Sequence, residues 1–214
     1  MTTIIRNTAL TIAGAAITAG AIAAPTTALA NPTTTNPTTI TTDRKPNSER
    51  HLTIRYEAQP NFYYCGPSAA RNALTALDKN PSVDEAAKKM GTTEAGTNSA
   101  ADITNYLNTE TNGKYRTIEI PTPTADTTQT HKMRADIINA IDDGRAIVTN
   151  IAGTATDTDG ATHSFEGGHY ISVVAYRDNG DTVKIADSAN PDQASYWITT
   201  EALADWTATR GYSA

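Results

Sequence analysis

Apolar residues along this chain change their period near its middle, and the change divides the elements they predict. In residues 65–77, Ala69, Ala70, Ala73, Leu74 and Leu77 recur at helical spacing after Gly66-Pro67. Pro67 suits a first helical turn, where its missing N–H has no intrahelical partner to lose. Ser82-Val83-Asp84-Glu85 has the spacing of a capping box and opens a short helix that Gly91 stops. Ser99 and Asp102 open a third helix, with Ile103, Tyr106 and Leu107 on one face. Met133, Ile137, Ile138 and Ile141 mark a fourth, ending in Asp142-Asp143-Gly144. These stripes are core-packing faces.

Beyond Gly144 the period becomes strand-like. Residues 146–151 read as one strand, and 169–176 and 182–186 as two more. The latter pair flanks Asp178-Asn179-Gly180-Asp181, where Asn-Gly is a hairpin turn signal. Residues 196–198 make a last strand, followed by a helix through Leu203 and Trp206, and residues 50–57 alternate enough for an opening strand. Helices first and an antiparallel sheet afterwards define an α+β architecture, not a doubly wound one.

The first thirty residues fall outside this pattern. Arg6 is followed by an uncharged run from Ala9 to Ala24, and Ala28-Leu29-Ala30 supplies small residues for cleavage. This is the layout of a secretory signal peptide over residues 1–30, cut after Ala30, and its short Ala-rich form fits a bacterium. The apolar run is too short and too rich in Ala, Gly and Thr for a membrane span. From Asn31 to Thr42, seven of twelve residues are threonine and two are proline, so residues 31–48 read as a flexible linker with little to bury. The expected folded domain is 49–214.

Charge and inventory narrow the chemistry. The chain of 214 residues carries a formal net charge of −6, and its Lys and Arg residues are scattered, which argues against a nucleic-acid partner. Four histidines and one cysteine, without HxxxH or CxxC spacing, offer neither an ordinary zinc site nor a disulfide framework. Asp157-Thr158-Asp159-Gly160 resembles the start of a calcium loop but has no glutamate at the twelfth position, so it reads as a polar turn. No metal and no cofactor is expected.

The single cysteine, Cys65, stands at a predicted helix start in a chain expected to be secreted. An unpaired thiol in an oxidising compartment is a liability, and a helix N-terminus stabilises a thiolate. A thiolate nucleophile needs a base and a group that orients the base. His169 follows Gly167-Gly168 at a strand start, where backbone without side chains leaves one flank of the imidazole open. With the hairpin centred near Asn179, His169 falls opposite a position close to 189, so Asp187 lies at the same sheet end. Gln59, six residues before Cys65, can offer its amide to an oxyanion beside the Cys65 backbone N–H. His51, His131 and His163 lack such an arrangement and read as surface or loop residues. Tyr63 and Tyr64 adjoin the cysteine, where they line a substrate cleft or pack in the core or an interface.

Three segments together resemble a known family. They are Gln59-Pro60-Asn61-Phe62-Tyr63-Tyr64-Cys65-Gly66-Pro67-Ser68-Ala69-Ala70, Gly168-His169-Tyr170-Ile171-Ser172-Val173-Val174, and Val183-Lys184-Ile185-Ala186-Asp187. The family is that of the bacteriocin-processing, double-glycine leader peptidases, cysteine-peptidase family thirty-nine, with its stand-alone secreted relatives. The resemblance covers about residues 55–212 and implies a papain-like fold. It implies Cys65 as nucleophile, His169 as general base and acid, Asp187 as orienting group and Gln59 as oxyanion donor. Tyr64, Gly66 and Gly168 are the expected substrate-facing positions. The family often places proline directly after the aspartate, whereas here Ser188-Ala189-Asn190 precedes Pro191, so the substrate-facing loop is expected to differ.

The reading that follows is a secreted, monomeric cysteine peptidase that acts on a peptide or protein substrate and keeps no membrane span after signal cleavage. Two rivals use the same fold: a non-catalytic module that binds a peptide or cell-wall fragment, and an amidase or acyltransferase with the same triad. A third possibility is a surface protein in which the Thr-rich linker is the working part.

Overall fold

The computed structural model describes residues 48–214; the expected signal segment and all of the expected linker but Ser48 lie outside the described residues. Five α-helices and seven strands are formed among them, and every strand pairing is antiparallel. Helix α1 (Cys65–Leu74) runs into a 3-10 turn over Thr75–Leu77, and α2 (Val83–Met90) ends at Gly91 in a left-handed conformation with φ of 65°. Helix α3 (Ala100–Thr111) is capped by Ser99, whose Oγ accepts from the Asp102 N–H at 3.3 Å. Helix α4 (Thr127–Asp142) starts six residues before its apolar stripe. A reciprocal capping box sets that start, with Asp126 accepting from the Gln129 N–H and Gln129 from the Asp126 N–H, both at 2.8 Å.

The sheet contains β1 (Arg50–His51), β2 (Thr117–Glu119), β3 (Ile147–Thr156), β4 (Thr162–Arg177), β5 (Thr182–Ala186), β6 (Ser195–Thr199) and β7 (Gly211–Ser213). Its order is β2-β7-β3-β4-β5-β6, with β1 added on β4. Helix α5 (Thr200–Trp206) follows β6 as expected, but β6 is not the last strand: the three-residue β7 returns to pair with β2 and β3.

Two further expectations need correcting. His169 does not open a strand: β4 begins at Thr162 and forms a long hairpin with β3, pairing Thr156 with Thr162 and Ile151 with His169 across a bulge. In the outer part of this hairpin exposed Thr154, Thr156, Thr162 and Ser164 alternate with buried Ala155 and His163, so the inward positions carry too little apolar character to announce a strand. The opening strand over residues 50–57 is also reduced to Arg50–His51. Farther on, the main chain is taken by side chains of α1 instead of by a strand. Asn72 accepts from the Glu57 N–H and donates to the Glu57 carbonyl, both at 3.0 Å, and Arg71 donates to the Arg55 carbonyl.

The period of two along β3 and β4 separates two cores. Ile147, Ile151, Ile171 and Val173 pack with Met133, Ile137 and Ile141 of α4 and Leu203 of α5. Val148, Tyr170 and Val174 pack instead with Ala69, Ala70, Ala73 and Leu74 of α1, and with Ile103 and Leu107 of α3. Residues 169–176 are buried throughout, as a strand covered on both faces must be.

Asn72 is fully buried and secures the segment that leads to Gln59. Asn72→Ala leaves both Glu57 backbone groups without this partner and should lower unfolding free energy by about 1–3 kcal/mol. Urea denaturation measures the loss, and hydrogen exchange should show faster exchange at the Glu57 amide.

Candidate active site

Cys65 is the first residue of α1, and its side chain is almost out of solvent, at 8% exposure. The helix is seated on β4 by the Ser172 hydroxyl, which donates to the Ala69 carbonyl at 2.8 Å. Its first turn also touches the segment before α3. A Cβ on Gly66 would stand 2.5 Å from Thr97 Oγ1 and 3.2 Å from Ile103 Cδ1. The glycine after the cysteine therefore has a packing reason: a side chain there would push the start of α1 off its support.

His169 and Asp187 complete a line of groups from Cys65. His169 Nε2 lies 2.7 Å from Asp187 Oδ1, and both side chains are buried. With Nε2 committed to the carboxylate, Nδ1 is the ring nitrogen left for the thiol. The second Asp187 oxygen accepts from the Tyr196 hydroxyl at 3.1 Å, and Oδ1 also accepts from the Ala189 N–H at 2.9 Å. The Phe165 ring is stacked on the imidazole, centroids 4.0 Å apart and planes 17° apart, so it covers one face of His169. Gly168, immediately before His169, has φ of 93°, and a Cβ there would lie 3.6 Å from the Arg210 guanidinium.

Electrostatics follow from that geometry. Burial pushes the Cys65 thiol up, but the hydrogen bond and charge of His169, with the Tyr170 and Gly66 N–H groups, outweigh it and hold the thiol below its ordinary value. Burial pushes His169 down, yet its bonds to Asp187 and Cys65 and their charges raise it to about 9. Asp187 is also pushed up by burial, and the net effect of His169, the Ala189 N–H and Tyr196 is to lower it. A thiol lowered and an imidazole raised in one contact are the signature of a thiolate–imidazolium pair.

Gln59 is tied to the far end of the same line. Its N–H donates to the Ser188 carbonyl at 2.9 Å, and its Oε1 accepts from the Ser188 hydroxyl at 3.1 Å. Its Nε2 donates to the Asn61 carbonyl at 2.9 Å, which uses one of the two hydrogens an amide carries. The loop after Asp187 is thus an anchor as well as a turn. Asn190 caps the 3-10 turn over Pro191–Gln193, the Asp187 N–H donates to the Ala194 carbonyl, and buried Ser188 clamps Gln59.

The remaining predicted positions divide. Tyr64 is half-buried, its ring edge-on to Tyr63 with centroids 5.2 Å apart, and neighbouring Phe62 is 81% exposed. His51 and His131 are exposed, as expected. His163 is not a surface or loop residue: it is buried in β4 and paired with Asp157 at 3.0 Å. Asp157-Thr158-Asp159-Gly160 forms the β3–β4 turn, where Asp157 Oδ1 accepts from the Asp159 and Ala161 N–H groups, both at 2.9 Å. Sequence reasoning missed Phe165, Ser188 and Tyr196. None of the three carries a local signal: Tyr196 comes level with Asp187 only through the β5–β6 register, which sets it across from Ile185, two residues before Asp187.

Among the described residues, no helix is long and apolar enough to cross a membrane. No curated protein matches the chain at a significant level. Solved structures do. The peptidase domain of ComA from Streptococcus, a bi-functional ABC transporter involved in a quorum-sensing pathway, is 16% identical with a TM-score of 0.51, covering 76% of this chain and 96% of that one. A C39-like peptidase from Bacillus anthracis is 9% identical with a TM-score of 0.54, covering 78% and 96%. At these identities the likeness concerns the fold, which is papain-like, with a helical half that starts at the cysteine and an antiparallel sheet after it. The family described as "Peptidase_C39 like family" matches residues 51–214, and with that match over most of its length the chain belongs to the C39-like family of cysteine peptidases.

Proposed function

We propose that this protein is a secreted cysteine peptidase that cleaves a peptide or protein substrate through Cys65, His169 and Asp187, with Gln59 as oxyanion donor. The observation that carries the reading is the buried His169–Asp187 bond of 2.7 Å, in line with a thiol held below its ordinary pKa at the start of α1. Membership of a peptidase family supports it. The Cys65 thiolate attacks the scissile carbonyl, and the charge that moves to oxygen is met by the second Gln59 amide hydrogen and the Cys65 backbone N–H. His169 passes its Nδ1 proton to the leaving amine, which departs and leaves a thioester on Cys65. His169 then takes a proton from water, whose oxygen attacks the thioester; the acid product leaves and the thiolate–imidazolium pair returns. Asp187 holds the imidazole in one orientation and balances its charge throughout.

The space for a substrate backbone is beside Gly167 and Gly168. A Cβ on Gly167 would meet nothing within 4 Å, and Arg210, 3.6 Å from a Cβ on Gly168, also lines a groove of about 410 Å³ with Asn98, Ser99 and Asn150. An extended chain with small residues near the scissile bond fits a flank built from two glycines.

Alkylation, turnover and N-terminal sequencing test the reading. Iodoacetamide should alkylate Cys65 at a high rate well below the pH of about 8.5 at which a free thiol ionises. The imidazolium is lost as pH rises through the His169 value of about 9, so turnover should fall there. His169→Ala should remove the low-pH reactivity, and Cys65→Ala should lower kcat/KM on a peptide library by on the order of 1,000-fold or more. A thiol that titrates like free cysteine would overturn the mechanism. Gln59→Ala should lower kcat by about 100- to 1,000-fold while leaving the alkylation profile of Cys65 in place, because an oxyanion donor acts only once the carbonyl is attacked. The protein recovered from culture supernatant should begin at Asn31 on N-terminal sequencing; an intact Met1 terminus in the cell fraction would refute export.

A further inference from the structure

Behind Asp187 stands a row of side chains that the mechanism above does not use. The Tyr196 hydroxyl donates to Asp187 Oδ2 at 3.1 Å, whereas His169 and the Ala189 N–H occupy Oδ1. The other face of the row is aromatic: the Tyr196 ring is stacked on the His163 imidazole, centroids 3.8 Å apart and planes 18° apart. His163 Nε2 is held by Asp157 Oδ2 at 3.0 Å, and these two side chains are only 7% and 5% exposed. Asp157 cannot swing, because its Oδ1 accepts from two backbone N–H groups of the β3–β4 turn. A turn of this kind needs the aspartate but not a buried histidine, whose burial beside a carboxylate carries a desolvation cost.

We infer that Tyr196 is a positioning residue for Asp187, and that His163, fixed by Asp157, is the backing that keeps the Tyr196 hydroxyl aimed at Oδ2. The inference rests on the assignment of Cys65, His169 and Asp187 proposed above. A carboxyl group turns easily about its last torsion, and the two donors His169 and the Ala189 N–H both sit on Oδ1, so they fix only one of its oxygens. A donor at each oxygen removes that freedom. The hydroxyl also favours the carboxylate over the neutral acid. The titratable groups around Asp187 are His169 and Tyr196 at its carboxylate and Tyr56, whose hydroxyl donates to its main-chain carbonyl at 2.9 Å. Of these, Tyr196 is the donor at Oδ2 among the described residues. Without it, Asp187 takes up a proton at higher pH, and the imidazolium loses its counter-charge there.

Tyr196→Phe keeps the ring and its stack on His163 and deletes only the hydroxyl. The readout is the rate of Cys65 alkylation by iodoacetamide against pH, which needs no substrate. The acid limb of that profile should move up by about one pH unit, equivalent to a tenfold change in the proton equilibrium. His163→Ala should move it in the same direction, and His163→Phe, which restores a ring against Tyr196, should return it toward the wild-type position. A residue that merely fills space would leave the limb unmoved in Tyr196→Phe, and that result overturns the inference when the wild-type thiol does react well below the free-cysteine range. A wild-type thiol that titrates as a free cysteine sinks instead the reading of the site itself. Circular dichroism reports folding of each variant; should Tyr196→Phe not fold, an unmoved limb in His163→Ala overturns the inference by itself.

Discussion

An imidazole and a carboxylate 2.7 Å apart, both out of water, are an expensive thing to place inside a small domain. Desolvation of each charge costs several kcal/mol, and the attraction between them offsets that only if their remaining hydrogen-bonding sites are filled. Here they are filled from several directions. The Ala189 N–H and the Tyr196 hydroxyl serve the carboxylate, and the Cys65 thiol serves the imidazole. The Phe165 ring covers one face of the imidazole. Remove one of the donors and part of what offsets the desolvation of the pair is lost, so the loops and strand ends around it are constrained by its needs.

Helix α1 brings the thiol to that pair, and the manner of its seating explains the residues after Cys65. Gly66 lets Thr97 and Ile103 approach the first turn, and Ala69, Ala70 and Ala73 let the helix lie close to β4. The same helix organises the chain that precedes it: Asn72 and Arg71 hold the main chain of Arg55 and Glu57, which leads to Gln59. Ser188 holds Gln59 from the other side, immediately after Asp187. The thiol and the proposed oxyanion donor are therefore coupled through short bonds to a carboxylate that lies more than a hundred residues away in sequence.

The elements that were legible share a physical feature: a local signal strong enough to need no partner. The helix at Cys65, the Ser82 cap with Gly91, and the Asn179-Gly180 turn each show in a few adjacent residues, and the structure forms all three there. From that turn, counting residues outward predicts Asp187 near His169. The observed register, with Ser172 opposite Ala186, agrees. The elements that were not legible lack such a signal. The outer β3–β4 hairpin is polar on its exposed faces, β2 and β7 have three residues each, and the segment 52–57 alternates like a strand while its backbone is bonded by side chains of a helix.

The sequence by itself determined the type and order of the long elements, because period and capping are properties of neighbours along the chain. It also determined which residue types can do chemistry, and one hairpin was enough to put a histidine and an aspartate at one sheet end. The tertiary structure alone decided what surrounds them. His163 was unremarkable in sequence, yet in the fold it is buried between Asp157 and Tyr196, because a sixteen-residue strand carries it there. Ser188 and Tyr196 became neighbours of Gln59 and Asp187 through contacts that no local pattern records. A pKa depends on every charge and dipole within a few ångströms of a group, and those distances exist only after the chain has folded.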